Sequence, residues 1–117
     1  PVYRVPHDQV PLYMNAGNVL VLTSDHEASP CVIKEALASN LPIVTVDVGD
    51  VVERIAGVDG CFLCQRSAED IAAKLKLALA FNHPTKGRDK VREVSMEITA
   101  HQTIAVYKEA LQRYTRK

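Results

Sequence analysis

What this sequence lacks narrows its class first. No apolar run is long enough to cross a membrane, and no N-terminal pattern marks a secretory signal. Three cysteines are an odd number and leave no complete disulfide framework. Without a secretory signal they predict a reduced, cytoplasmic protein. Cys61 and Cys64 have redox-motif spacing, but residues three apart in a strand face opposite ways, so their thiols should diverge. No second cysteine pair and no ordered histidine pair completes a metal site, so no metal is expected. Aromatic residues make up 5% of the chain and do not interleave with a basic run, so nucleic acid is not an expected partner. His26 has no serine or cysteine nucleophile partnered to it. Repeats and low-complexity segments are absent.

What is present is an ordinary soluble composition. The 117 residues are 47% hydrophobic and 24% charged, enough for one domain with a modest core. The formal net charge is +0 but unevenly spread. From residue 85 onward eight basic residues stand against four acidic ones. Such a segment either forms solvated helix faces or makes a weak contact with an anionic membrane surface. The first residue is Pro1, not Met, which predicts a fragment or a processed product.

Strand and helix patterns alternate, predicting a parallel sheet flanked by helices. Strands are expected at Val2 to Val5, Val19 to Thr23, Ile43 to Asp47 and Cys61 to Cys64, about four in all. Helices are expected at Val10 to Ala16, Pro30 to Ser39 and Val51 to Ala56, then from Ser67, which caps a long helix broken at Asn82-His83-Pro84. Two more are expected, about Thr85 to Ser95 and Thr99 to Tyr114. If the first strand lacks a neighbour on its other side, its open edge predicts a homo-oligomer.

The segment that carries chemistry is the hand-over from the second strand to the second long helix pattern. Ser29 is a good N-cap, and Pro30 then falls at the first helical position. Asn40 tolerates the left-handed conformation of a helix end, and Pro42 forbids continuation. Glu27 therefore lies in the loop, and Glu35 about a turn and a half into the helix. Ligands of open α/β sheets bind at the carboxyl ends of the strands. Carboxylates there accept hydrogen bonds from sugar hydroxyls, and a helix start offers free N–H groups to phosphate. Hydroxyls and phosphate together describe a nucleotide-sugar.

The run Glu27-Ala28-Ser29-Pro30-x-Val32-x-x-Glu35-Ala36-x-Ala38, followed by Pro42-Ile43-Val44, resembles the Glu-x7-Glu segment of retaining glycosyltransferases of family 4, which have the GT-B fold. The lead-in Leu12 to Val19, the loop Val46 to Glu53, the turn and strand Gly57 to Leu63 and the helix Ser67 to Ala80 resemble the family in the same order. Three positions depart from it, since Ala28, Asn40 and Asp50 stand where the family usually has glycine. Asp50 either lies near the donor or caps the helix beginning at Val51.

The resemblance implies a partial GT-B C-terminal domain, the donor-binding part of a retaining glycosyltransferase that transfers a sugar to an acceptor hydroxyl. It implies that Glu27 is the catalytic carboxylate and binds the donor sugar, that Ser29, Pro30, Cys31 and Val32 line the phosphate end with Ala28 beside them, and that Glu35 binds the ribose. The nucleotide-diphosphate sugar would be a substrate, with no separate cofactor and no metal. The acceptor domain and the basic residues that grip the diphosphate would precede this segment or belong to a separate chain, so the segment alone should be inactive. Two other readings stay open. One is a stand-alone nucleotide- or sugar-binding module without catalysis, which could complete an enzyme in trans. The other is a structural α/β domain with no ligand.

Overall fold

The computed structural model describes residues 4–115. In order it has α1 (Val10–Ala16), β1 (Leu20–Leu22), α2 (Cys31–Ala38), β2 (Ile43–Val46), α3 (Val51–Ile55), β3 (Cys61–Cys64), α4 (Ala68–Phe81), α5 (Gly87–Val91) and α6 (Met96–Thr115). Short 3-10 turns occupy His7–Gln9 and Arg92–Val94. The strands form one parallel sheet in the order β1-β2-β3, with Val21 opposite Val44 and Val44 opposite Phe62. The architecture is the expected α/β one, a Rossmann-like parallel sheet flanked by helices.

Two expectations need adjusting. Among the described residues the sheet has three strands rather than about four. Of the strand expected at Val2 to Val5, Val2 and Tyr3 lie outside the described residues. Arg4 and Val5 are not in a strand, and Arg4 has φ 56°, a left-handed value foreign to extended pairing. The helix expected at Thr85 to Ser95 is shorter, one α-helical turn running into a 3-10 turn.

Parallel strands are covered on both faces and so read as continuous apolar runs. β2 fits that rule, since Ile43, Val44, Thr45 and Val46 are all buried. Ile33, Ala36 and Leu37 of α2, with Val48, Val51 and Ile55 beyond β2, join it in one core. α2 packs beside α1, α3 and α5, while α4 lies on β2 and β3. Ser67 caps α4 as expected, its hydroxyl accepting from the Asp70 N–H at 3.2 Å.

The C-terminus of α2 is closed by a left-handed turn. Asn40 has φ 54°, the Leu41 N–H donates to the Ala36 carbonyl at 2.9 Å, and the Asn40 N–H donates to the Leu37 carbonyl at 3.0 Å. That paired pattern satisfies carbonyls the helix leaves free. Arg88 adds a cation at the same end, its Nε donating to the Ala38 carbonyl at 2.7 Å. Other cations of the C-terminal segment pair with near neighbours in the chain, Arg113 with Glu109 along α6 and Lys90 of α5 with Glu93 of the following 3-10 turn. No helix among the described residues is long and apolar enough to cross a membrane.

The three cysteines are free thiols. Burial pushes the Cys61 thiol up to about 11 and also raises Cys64, so both stay protonated and unreactive at neutral pH.

Close packing of α5 on α2 generates a prediction. A Cβ on Gly87 would lie 2.9 Å from the Leu37 Cα and 2.9 Å from its carbonyl oxygen, atoms that cannot rotate away. Gly87→Ala should lower stability by about 1–3 kcal/mol through overpacking. Gly57, at φ 74° with open space around its Cβ position, should lose only about 1 kcal/mol as alanine, from its backbone conformation. Thermal melting of the two variants against the parent chain checks the order.

Candidate functional site

The carboxyl ends of β1, β2 and β3 deliver three loops to one place. The first runs from Thr23 to Pro30 and carries Glu27, which is exposed, as are Ala28 and Ser29. The second, Asp47 to Asp50, lies directly against it. Gly49 has φ 57°, and a Cβ there would stand 2.4 Å from the Ala28 carbonyl oxygen and 2.9 Å from that of Glu27. Glycine is thus required both for the backbone conformation and for the close approach. The Asp50 N–H closes the contact, donating to the Ala28 carbonyl at 3.1 Å. The third loop contributes Arg66, whose Nη2 donates to the Ser24 carbonyl at 2.9 Å.

Ser29 and Pro30 do not act as the sequence suggests. Pro30, extended at φ −64° and ψ 119°, is the N-cap of α2 rather than its first helical residue. The Ser29 hydroxyl turns away from the helix and donates to Asp50 Oδ2 at 2.7 Å. Pro30 holds the cap position, so Ser29 is one residue too early to cap, and its hydroxyl makes a charge-assisted bond to the carboxylate instead. Asp50 stands at the N-cap position of α3, yet its side chain makes no capping bond. It accepts instead from Ser29 and from Arg54, whose Nε lies 2.8 Å from the same oxygen. Its other oxygen, Oδ1, is buried without a hydrogen-bond partner among the described residues.

Glu35 takes a different neighbour. It lies on α2 facing His7, whose Nε2 is 3.7 Å from its Oε1. The Glu35 side chain is 28% exposed. It lines a groove of about 320 Å³ with His7, Val10, Met14 and Arg88. Of the expected site residues, then, Glu27, Ala28 and Ser29 meet Gly49 and Asp50, while Glu35 opens on the adjoining α1 side. Cys31 is exposed and Val32 half-buried in the first turn of α2, where N–H groups have no carbonyl behind them. A second cavity, about 260 Å³, lies at the amino ends of the strands beside Gly17, Asn18, Leu41 and Pro42, the end of a parallel sheet that ligands do not use. No cluster of metal-ligating side chains occurs among the described residues.

Two participants escape a reading of the sequence alone, Arg66 and His7. Each is a single polar residue in a connecting segment. The one available signal for Arg66 is its place just past the carboxyl end of a strand.

The charge of Asp50 generates a prediction. Burial pushes its carboxyl up, but the hydrogen bonds from Ser29 and Arg54, with the charges of Arg54 and Lys34, pull it down by more, so it ends below its ordinary value of 3.8. The folded chain therefore holds this proton less tightly than the unfolded chain. The contribution to stability is complete above about pH 4 and is lost as pH falls through the lower folded value. Asp50→Asn should remove that part, flattening the acid side of the stability curve in denaturant titrations run from pH 7 down to pH 3.

Comparison with known proteins identifies the family. A family model described as Glycosyl transferases group 1 matches residues 2–80, a stretch that takes in both carboxylates, Gly49, Asp50 and Arg66. A Bacillus subtilis (strain 168) protein provisionally named teichuronic acid biosynthesis glycosyltransferase TuaC is 35% identical over 69 residues. The match covers 59% of this chain and 18% of that protein's length. No solved structure matches the chain. With the family model covering well over half of its residues, the chain belongs to the Glycosyl transferases group 1 family.

Proposed function

We propose that this chain is the donor-binding part of a retaining glycosyltransferase that takes its sugar from a nucleotide-activated donor. The observation that carries the reading is the placing of Glu27 in an exposed loop at the carboxyl end of the sheet, directly before the N-terminus of α2, with Glu35 further along the same helix. In this reading the Glu27 carboxylate accepts hydrogen bonds from donor sugar hydroxyls. The N–H groups of Cys31 and Val32 meet the diphosphate, helped by the positive end of the helix dipole. Ala28 and Pro30 shape the backbone around them. Glu35 accepts from the ribose hydroxyls, in the groove shared with His7.

The chemical contribution is positioning plus stabilisation of the departing diphosphate. Glu27 would hold the sugar so that the acceptor oxygen approaches with the anomeric configuration kept. The Ser29 hydroxyl is committed to Asp50 as donor, so the phosphate end depends on backbone N–H groups. The loop from Thr23 to Pro30 contains no lysine or arginine. Neutral donors alone support an affinity of about millimolar, near −4 kcal/mol.

Amide shifts in a titration with uridine and guanosine diphosphates test the reading. They should cluster at residues 24–36. Glu35→Ala should weaken binding of the bare nucleotides. Glu27→Ala should leave them alone and weaken binding only when a sugar is attached. Shifts confined to the opposite end of the sheet, or none at tens of millimolar ligand, would count against the site.

A further inference from the structure

Arg66 lies two residues beyond β3, outside the Glu27–Glu35 segment. Its guanidinium holds the start of the Glu27 loop at four points. Nη2 donates to the carbonyls of Ser24 at 2.9 Å and Asp25 at 3.4 Å. Nη1 donates to the Thr23 carbonyl at 3.4 Å and to Asp25 Oδ1 at 3.0 Å. Three of these acceptors are backbone, and a planar fork suits such a set where a lysine ammonium does not. The ion pair with Asp25 is a minor part, because both side chains are well exposed and such pairs contribute little.

The end of the same loop is held from the other direction. The Asp50 N–H donates to the Ala28 carbonyl, and the Asp50 carboxylate accepts from the Ser29 hydroxyl. Arg54 fixes that carboxylate in turn. Between the two holds lie only His26 and Glu27. An unrestrained loop would have to be ordered whenever a ligand bound, and that entropy is subtracted from the affinity.

We infer that Arg66 is a positioning residue: together with Asp50 it presets the backbone that carries Glu27, so that the carboxylate stands ready for the sugar of a nucleotide-sugar. The inference rests on the donor-binding reading above. It assigns the nucleotide part of the ligand no dependence on Arg66, because Glu35 and the start of α2 are held by other contacts.

The test has two arms on the 117-residue chain. The first needs no ligand. Nitrogen-15 relaxation at residues 24–28 is compared for the parent chain, Arg66→Gln, Arg66→Lys and Asp25→Asn. Fast internal motion should rise in both Arg66 variants, since lysine cannot replace the fork, and stay near the parent level in Asp25→Asn. In the second arm the same chains are titrated with uridine diphosphate, uridine diphosphate glucose, guanosine diphosphate and guanosine diphosphate mannose. Arg66→Gln should leave the bare nucleotides within about twofold and reduce the increment contributed by the preferred sugar by about tenfold. A residue that merely stabilised the fold would weaken all four alike. Unchanged loop motion in Arg66→Gln, or equal losses for nucleotide and nucleotide-sugar, would overturn the inference. If the parent chain binds none of the four, it is the donor-binding reading that fails, and the relaxation arm still decides whether Arg66 holds the loop.

Discussion

Strand β2 is the element on which the rest of the molecule is hung. It pairs on both sides, with β1 and β3, and every one of its residues is buried. Its amino end follows the left-handed turn at Asn40, so the end of α2 is fixed to the start of the strand. Its carboxyl end runs straight into Val48 and Gly49, and Val48 is itself in the core. The loop that reaches the Glu27 segment is therefore anchored one residue before it makes contact. A buried central strand thus fixes the geometry at both ends of the sheet, and the flanking strands β1 and β3 carry the other two loops to it.

At the carboxyl end this anchoring sets two backbones in contact with nothing between them. The approach of Gly49 to the Ala28 and Glu27 carbonyls leaves no room for a side chain. The chain has Asp50 next to that glycine, and a carboxylate beside a loop that already carries Glu27 would raise the local negative charge. Arg54, one helical turn on, offsets it at 2.8 Å, and Ser29 supplies a hydroxyl. The aspartate becomes a tie between the loops instead of a repulsive centre. A buried charge left single would be costly, whereas one with a cation and a hydroxyl donor is tolerated. Arg66 differs in being exposed, and it ties its loop through three backbone carbonyls more than through the one carboxylate.

The departures from family-typical glycine acquire distinct physical roles. Asn40 accepts the left-handed turn that glycine would otherwise supply, and its Oδ1 also accepts from the Arg88 N–H at 2.9 Å. Ala28 presents its carbonyl to Asp50 while its side chain stays exposed. Asp50 contributes the tie just described. Of the three positions only Asn40 has a left-handed backbone, and each of the three side chains either faces solvent or finds a partner.

The sequence by itself determined the order of strands and helices from α1 onward, the capping of α4 by Ser67, the left-handed stop at Asn40 and the place of Glu27 between strand and helix. Those features rest on short-range physics: periodicity, capping and the φ preferences of particular residues act within a few positions of one another. The bounds of α1 and β3 were legible for the same reason. The tertiary structure decided that Ser29 would bond to Asp50, 21 positions away, rather than cap its own helix. It also decided that Arg66 would close on carbonyls more than 40 positions earlier, and that Glu35 would face His7. Each of these is a choice among several competing polar partners. That choice depends on which loops a parallel sheet brings side by side, and no local pattern in the chain encodes it.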